Sequence, residues 1–157
     1  MIEDVDHSDT APAGTISVSA VVLTRPDGAV ATVRKAGTER FMLPGGKWEP
    51  GEPPLDCAVR EIDEELGVAV APGALTFLGR FDTATANEPG YTLVSEVFAA
   101  RVDGGQLPRA EIAEIRWVSR EEMAHLATLP EDACAPWAPL LVRVARECLG
   151  VSRAPEG

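Results

Sequence analysis

Three glutamates, Glu61, Glu64 and Glu65, constrain this chain more than any other feature. They lie in the segment Pro53-Pro54-Leu55-Asp56-Cys57-Ala58-Val59-Arg60-Glu61-Ile62-Asp63-Glu64-Glu65-Leu66-Gly67. Prolines suit a first helical turn, whose N–H groups lack partners anyway. A glycine suits the left-handed residue just past a helix end. The segment therefore predicts a helix over 53–66. At about 100° per residue, the three glutamates share one arc of about 100°. Leu55, Val59, Ile62 and Leu66 form an apolar stripe beside that arc, and Asp56 and Asp63 point elsewhere. One flank is anchored in a core while a row of like charges stands at its margin.

Carboxylates at i, i+3 and i+4 repel by a few tenths of a kcal/mol when exposed. The repulsion grows near a low-dielectric core. Divalent cations relieve it, and hard oxygen ligands favour Mg2+, Mn2+ or Ca2+ over softer metals. The preceding loop suits the same use. Gly45, Gly46 and Gly51 permit tight turns and close approach of a ligand. Glu52 sits where a helix N-terminus favours negative charge, and Arg60 can pair with Glu52 or a neighbour to orient the loop. A Glu-rich helix face alone is ordinarily a solvated surface. Here seven fixed positions coincide (Gly46, Glu52, Arg60, Glu61, Glu64, Glu65, Gly67), and chance gives that below about 10⁻⁶ of the time in such a chain.

The rest of the chain predicts a mixed sheet around that helix. Residues 15–23, 29–34, 75–82, 91–102 and 115–118 read as strands, with turns at Arg25–Gly28 and Asn87–Gly90. A short apolar run, Phe41-Met42-Leu43, stops at Pro44. Ser119 with Glu122 is a capping-box signature for a helix over about 120–128. Residues 137–149 read as a final amphipathic helix. Tails at 1–14 and 151–157 flank one domain, 15–150. Strands on both sides of one helix, with helices at the end, give the α/β class: a central mixed sheet with helices on both faces.

Composition excludes several classes. The 157 residues, 45% of them hydrophobic, suffice for one core without staples. Cys57, Cys134 and Cys148 form no CxxC pair, so neither a zinc knuckle nor a disulfide framework is expected. The net charge of −11 argues against nucleic-acid or anionic-membrane partners. It leaves room for a phosphate-bearing small molecule bridged by cations. The acidic start lacks a signal peptide's basic and apolar regions, and no apolar run approaches the ~20 residues of a span. The expectation is a cytoplasmic protein.

The stretch 46–68 resembles the Nudix box, Gly-x5-Glu-x7-Arg-Glu-U-x-Glu-Glu-x-Gly-U, where U is a bulky aliphatic residue. Every fixed position matches, with Ile62 and Val68 in the aliphatic places. The segment Glu111–Val118 is similar to what such MutT-like domains carry further on. The resemblance implies an α/β/α sandwich and Mg2+- or Mn2+-dependent hydrolysis of a diphosphate linkage. The substrate would be a nucleoside diphosphate joined to another group. By position the resemblance implies Glu61, Glu64 and Glu65 as metal ligands, one of them also activating water, with the Gly45 carbonyl as a further ligand. Arg60 would brace Glu52. A later loop glutamate would complete the site: Glu111 by its spacing to Trp117, with Glu114 as competitor. Which glutamate acts as base stays open.

Ala84, Thr85 and Ala86 include no Tyr or Pro of the kind that marks dinucleoside-polyphosphate or ADP-ribose types. No coenzyme A or NADH signature is present either. A (d)NTP or modified nucleotide is therefore expected. The alternatives are an ADP-ribose or nucleotide-sugar pyrophosphatase and a catalytically silent nucleotide-binding domain. Homodimers are common in the family, and nothing in the sequence decides the matter. Trp48 reads as packing under the loop and Glu96 as edge- or solvent-facing. Cys57, Cys134 and Cys148 read as packing residues, His125 as a surface group, and 87–91 as a hairpin turn.

Overall fold

The computed structural model describes residues 14–85 and 88–149. Its centre is strand β1 (Thr15–Thr24), whose C-terminal half is buried on both sides. Val21 and Leu23 enter one core, while Ala20 and Val22 enter the other. This two-sided burial explains the unbroken apolar run, since a strand covered on both faces has no polar side to alternate with. β1 runs parallel to β5 (Thr92–Arg101), from Thr15 opposite Thr92 to Thr24 opposite Arg101.

The other edge of β1 is divided. Its end pairs antiparallel with β2 (Val30–Lys35), and its middle pairs antiparallel with β3 (Gly45–Lys47). β4 (Thr76–Ala84) flanks β5, and β6 (Ile112–Val118) flanks β2, both antiparallel. The mixed sheet therefore runs β4-β5-β1-β2-β6, with β3 joined to β1.

Helix α1 (Pro54–Leu66) covers one face through Ala58, Ile62 and Leu66. Helices α2 (Arg120–Leu126) and α3 (Pro139–Glu147) cover the other through Met123, Leu126, Leu141 and Val144. The result is the expected α/β/α sandwich. Among the described residues no helix is long and apolar enough to cross a membrane.

Several boundaries differ from expectation. β3 reads as loop because it holds no β-branched residue; it pairs through main chain alone. The run 41–43 makes only isolated bridges, Met42 to Val33 and Phe41 to Trp137. β6 begins at Ile112, three residues earlier than the pattern predicts. α3 begins at Pro139, after Trp137 has packed against Phe41 with ring centroids 5.9 Å apart. Short 3-10 turns at Pro72–Ala74 and Glu131–Ala133 escape sequence reading. The capping box of α2 is half made: Ser119 Oγ accepts from the Glu122 amide, but the Glu122 carboxylate takes Arg116 at 2.7 Å. Residues 1–13 of the expected tail at 1–14, the expected tail at 151–157, Ala86 and Asn87 lie outside the described residues.

Candidate active site

The glycine loop is held against the sheet by register. Gly45 lies opposite Ala20, Gly46 opposite Ser19 and Lys47 opposite Val18. Gly45 has φ 153°, and a Cβ there would lie 2.0 Å from the Ser19 carbonyl oxygen. Gly46 is a glycine for a different reason: its Cβ would lie 2.4 Å from the Glu61 carboxyl carbon. One glycine lets the loop touch the sheet, and the next leaves room for a carboxylate.

α1 starts after Pro53 and ends at Gly67, whose φ of 70° is left-handed. Arg60 organises its acidic face. Nε and Nη2 grip Glu52 Oε2 and Oε1 at 2.7 and 2.9 Å. Nη1 reaches Glu61 Oε2 at 2.9 Å and Glu64 Oε1 at 3.2 Å. Nη2 also donates to the Lys47 carbonyl at 3.3 Å, tying helix to loop. The forked bond holds the Glu52 carboxyl down to about 2 and raises Arg60 further above its usual range. Glu52 Oε1 accepts the Glu49 amide at 2.9 Å, which closes the turn before the helix.

Glu65 differs from its neighbours. It is 5% exposed, where helical spacing alone predicts an open row. Its Oε1 accepts the Gly45 amide at 3.2 Å, and Lys35 Nζ stands 3.9 Å from Oε2. Burial pushes its carboxyl up to about 8, Lys35 pulls the other way, and the adjacent Glu61 pushes it further up. The site thus holds a buried acid beside a second acid, with one distant ammonium as partial compensation.

Glu61, Glu64, Glu65, Arg60 and Gly45 line one cleft of about 610 Å3, and Glu111 lines it too. Glu111 is exposed, and its carbonyl accepts the Ala36 amide at 2.8 Å. Glu114 is turned away and pairs with Arg34 at 3.2 Å. Glu52 is not in the lining; it reaches the cleft through Arg60. For Gly45 the structure assigns a role to the amide, which bonds Glu65. Among the described residues no three acids, histidines or cysteines converge on one point; Glu61 and Glu64 share Arg60.

The donors nevertheless suit a hard dication. They are carboxylate oxygens, two of them close enough to repel in a low-dielectric setting. The missing Cβ at Gly46 leaves the Glu61 oxygens space to serve it.

Trp48 packs, its indole N–H donating to Ser19 Oγ at 3.0 Å. Cys57 is buried with Sγ 3.4 Å from the Gly46 carbonyl, and burial pushes its thiol up to about 11. Glu96 is half-buried opposite Ser19 and Arg80. Sequence reasoning misses Lys35 and the Lys47–Glu88 contact of 3.8 Å. The only signal for Lys35 is a basic residue at the end of the strand leading toward the glycine loop.

The fold and the site together define an α/β/α sandwich domain with an acidic helix tucked under a glycine loop. A family model described as NUDIX domain matches residues 14–138, and the chain belongs to the Nudix hydrolase family. It is 31% identical over 114 residues to a MutT-like protein of Streptomyces ambofaciens, covering 72% of this chain and 69% of that one. It is 34% identical over 140 residues to a Mycobacterium tuberculosis protein provisionally named 8-oxo-dGTP diphosphatase 3, covering 78% and 61%. An uncharacterized Nudix hydrolase of Pseudomonas aeruginosa is 40% identical over 96 residues, and the chain spans 51% of its length. The solution structure of the E. coli ORF135 protein shares the fold with a TM-score of 0.65 at 21% identity, covering 92% of this chain and 98% of that one.

Proposed function

We propose that this protein hydrolyses the diphosphate linkage of a small nucleoside diphosphate derivative, a (d)NTP or modified nucleotide, with Mg2+ or Mn2+. The carrying observation is the buried, under-compensated Glu65 beside Glu61 in a cleft of about 610 Å3. That volume lies within the roughly 300–1,000 Å3 of small-molecule sites. Family membership supports the cofactor, because Nudix hydrolases in general use divalent metal ions. The name of the M. tuberculosis relative supports the substrate class.

In this reading Glu61, Glu64 and Glu65 hold the ion, with the Gly45 carbonyl as a further ligand. When bound, the ion supplies charge neutralisation on the phosphates and a lowered pKa for its water. The chain's own residues do the rest. Lys35 and Lys47, both in the lining, bind phosphate oxygens. Arg60 keeps Glu52 and the loop in register with α1. One glutamate, from α1 or Glu111, takes the proton of the attacking water as it adds in line at phosphorus. In this reading the enzyme acts in the cytoplasm, alone or as a homodimer, and needs no nucleic acid or membrane.

Glu64→Gln tests the proposal. Glu64 is 54% exposed, so the fold tolerates the change. Turnover of the best nucleotide is expected to fall by about 10²-fold or more, with an unchanged circular dichroism spectrum and melting temperature. Full activity in the variant would refute the assignment. Tight nucleotide binding by the wild type without cleavage would favour the regulatory alternative.

A further inference from the structure

The cleft has two chemically distinct ends. The charged end is built from α1 and its loop. The other end is apolar: Ile16 and Val18 from β1 and Leu93 from β5, with Leu43, Pro139 and Leu140 in the same lining. Ile16, Val18 and Leu93 alternate with the α1-facing positions of their strands. They share the face of Ala20, Val22 and Val97, which the other core covers completely. At the cleft Ile16, Val18 and Leu93 are partly buried, and Leu93 packs against the margin of that core. Two central strands of the sheet thus present aliphatic side chains to the cleft.

Among the described residues, each uncharged hydroxyl of the lining already donates its proton to a main-chain carbonyl and keeps only acceptor capacity. Ser19 Oγ donates to the Pro54 carbonyl at 2.7 Å and accepts from Trp48 at 3.0 Å. Thr38 Oγ donates to the Lys35 carbonyl at 2.8 Å. Thr85 Oγ bonds both the carbonyl and the amide of Glu88. The Glu88 carboxylate faces Lys47 Nζ.

We propose that this site selects the group joined to the diphosphate by apolar contact rather than by hydrogen bonds from side-chain hydroxyls. It therefore favours the less polar member of any pair of nucleobases and gives no preference to oxidised guanine. This rests on the diphosphate-hydrolase reading above and goes beyond it by naming the substrate class. The physical basis is an asymmetry in recognition. A site built to hydrogen-bond a polar edge rejects an analogue lacking it by roughly 10⁴-fold or more, whereas an aliphatic wall discriminates by only about 10–200-fold. One buried methyl group contributes roughly a three- to fivefold preference. A polar edge left without a partner lowers affinity further.

The test compares dTTP with dUTP, which differ by one methyl, and 8-oxo-dGTP with dGTP. For each, kcat/KM is measured with Mg2+, and equilibrium binding is measured in Ca2+. The expected result is dTTP above dUTP by about three- to fivefold, with 8-oxo-dGTP no better than dGTP. Leu93→Ala, which trims the wall and leaves the acids alone, is expected to bring the dTTP to dUTP ratio toward one.

A preference for 8-oxo-dGTP over dGTP above tenfold would overturn the proposal and point to Glu88 as a base-reading group. A dTTP to dUTP ratio near one in the wild type, or an unmoved ratio in Leu93→Ala, would overturn it as well. Binding in the expected order without turnover would end the hydrolase reading and leave this one standing. Turnover in the opposite order would do the reverse, and no binding of any of the four would end both.

Discussion

Two adjacent glycines separate structure from function at the residue scale. A Cβ at position 45 meets main chain, the Ser19 carbonyl, which cannot move without disturbing β1. A Cβ at position 46 meets the far end of the Glu61 side chain, which can swing away. Gly45→Ala is therefore expected to cost about 2 kcal/mol or more of stability. Gly46→Ala is expected to leave the melting temperature nearly unchanged while lowering kcat through a displaced Glu61. Thermal melts and steady-state kinetics on the pair check this. Arg60 carries a second residue-scale prediction. Glu52 is held down to about 2 against an ordinary 4.5, so the stability it contributes is complete above pH 4.5 and fades as pH falls toward about 2. Arg60→Met is expected to cost about 1–3 kcal/mol at neutral pH. That gap should close across the acid window in urea titrations at stepped pH.

α1 joins a load in the core to a charge at its edge, and Glu65 is where the two collide. Its carboxyl is pushed up to about 8 from an ordinary 4.5. In metal-free protein the folded form therefore holds a proton that the unfolded form gives up. Stability from this group falls as pH rises between those values and stays lost above them. Glu65→Gln is expected to be more stable than the wild type at pH 9 without metal, with the advantage shrinking toward pH 4.5. Added Mg2+ should narrow the difference at high pH, and the variant should be inactive. Scanning calorimetry at four pH values with and without Mg2+ would show it.

The glutamate row on α1 was readable from helical spacing. The burial of Glu65 was not, because it depends on β2 bringing Lys35 alongside and on the loop crossing above. β3 was illegible for a similar reason: three residues without side-chain preference become a strand only when β1 offers an unpaired edge. Glu111 and Glu114 are nearly equivalent in sequence, and only the course of β6 sends one into the cleft and the other to Arg34.

At the scale of the whole molecule, one sheet separates two cores with different duties. The α1 side supports the acids, and the α2–α3 side is mostly packing. Leu141 is fully buried in the latter. Leu141→Ala is expected to lower unfolding free energy by about 2–5 kcal/mol while the folded fraction keeps its KM, as chemical denaturation and kinetics below the melting temperature would reveal. The layer order was legible because the strand segments and the three amphipathic helical segments are separated by clear turn signals. The short elements were not: the 3-10 turns are single local i→i+3 turns with no periodic pattern, and the isolated bridges depend on partners elsewhere in the chain.

Val18, Ser19 and Ala20 each pair with a residue of the glycine loop, and Val18 also belongs to the aliphatic wall. A strand rises about 3.3 Å per residue and cannot be stretched. The separation between bond-breaking chemistry and the surface that chooses the guest is thus a fixed length of backbone. Descendants of this chain could change what they accept by swapping wall side chains, but they could not move the choosing surface away from the scissors.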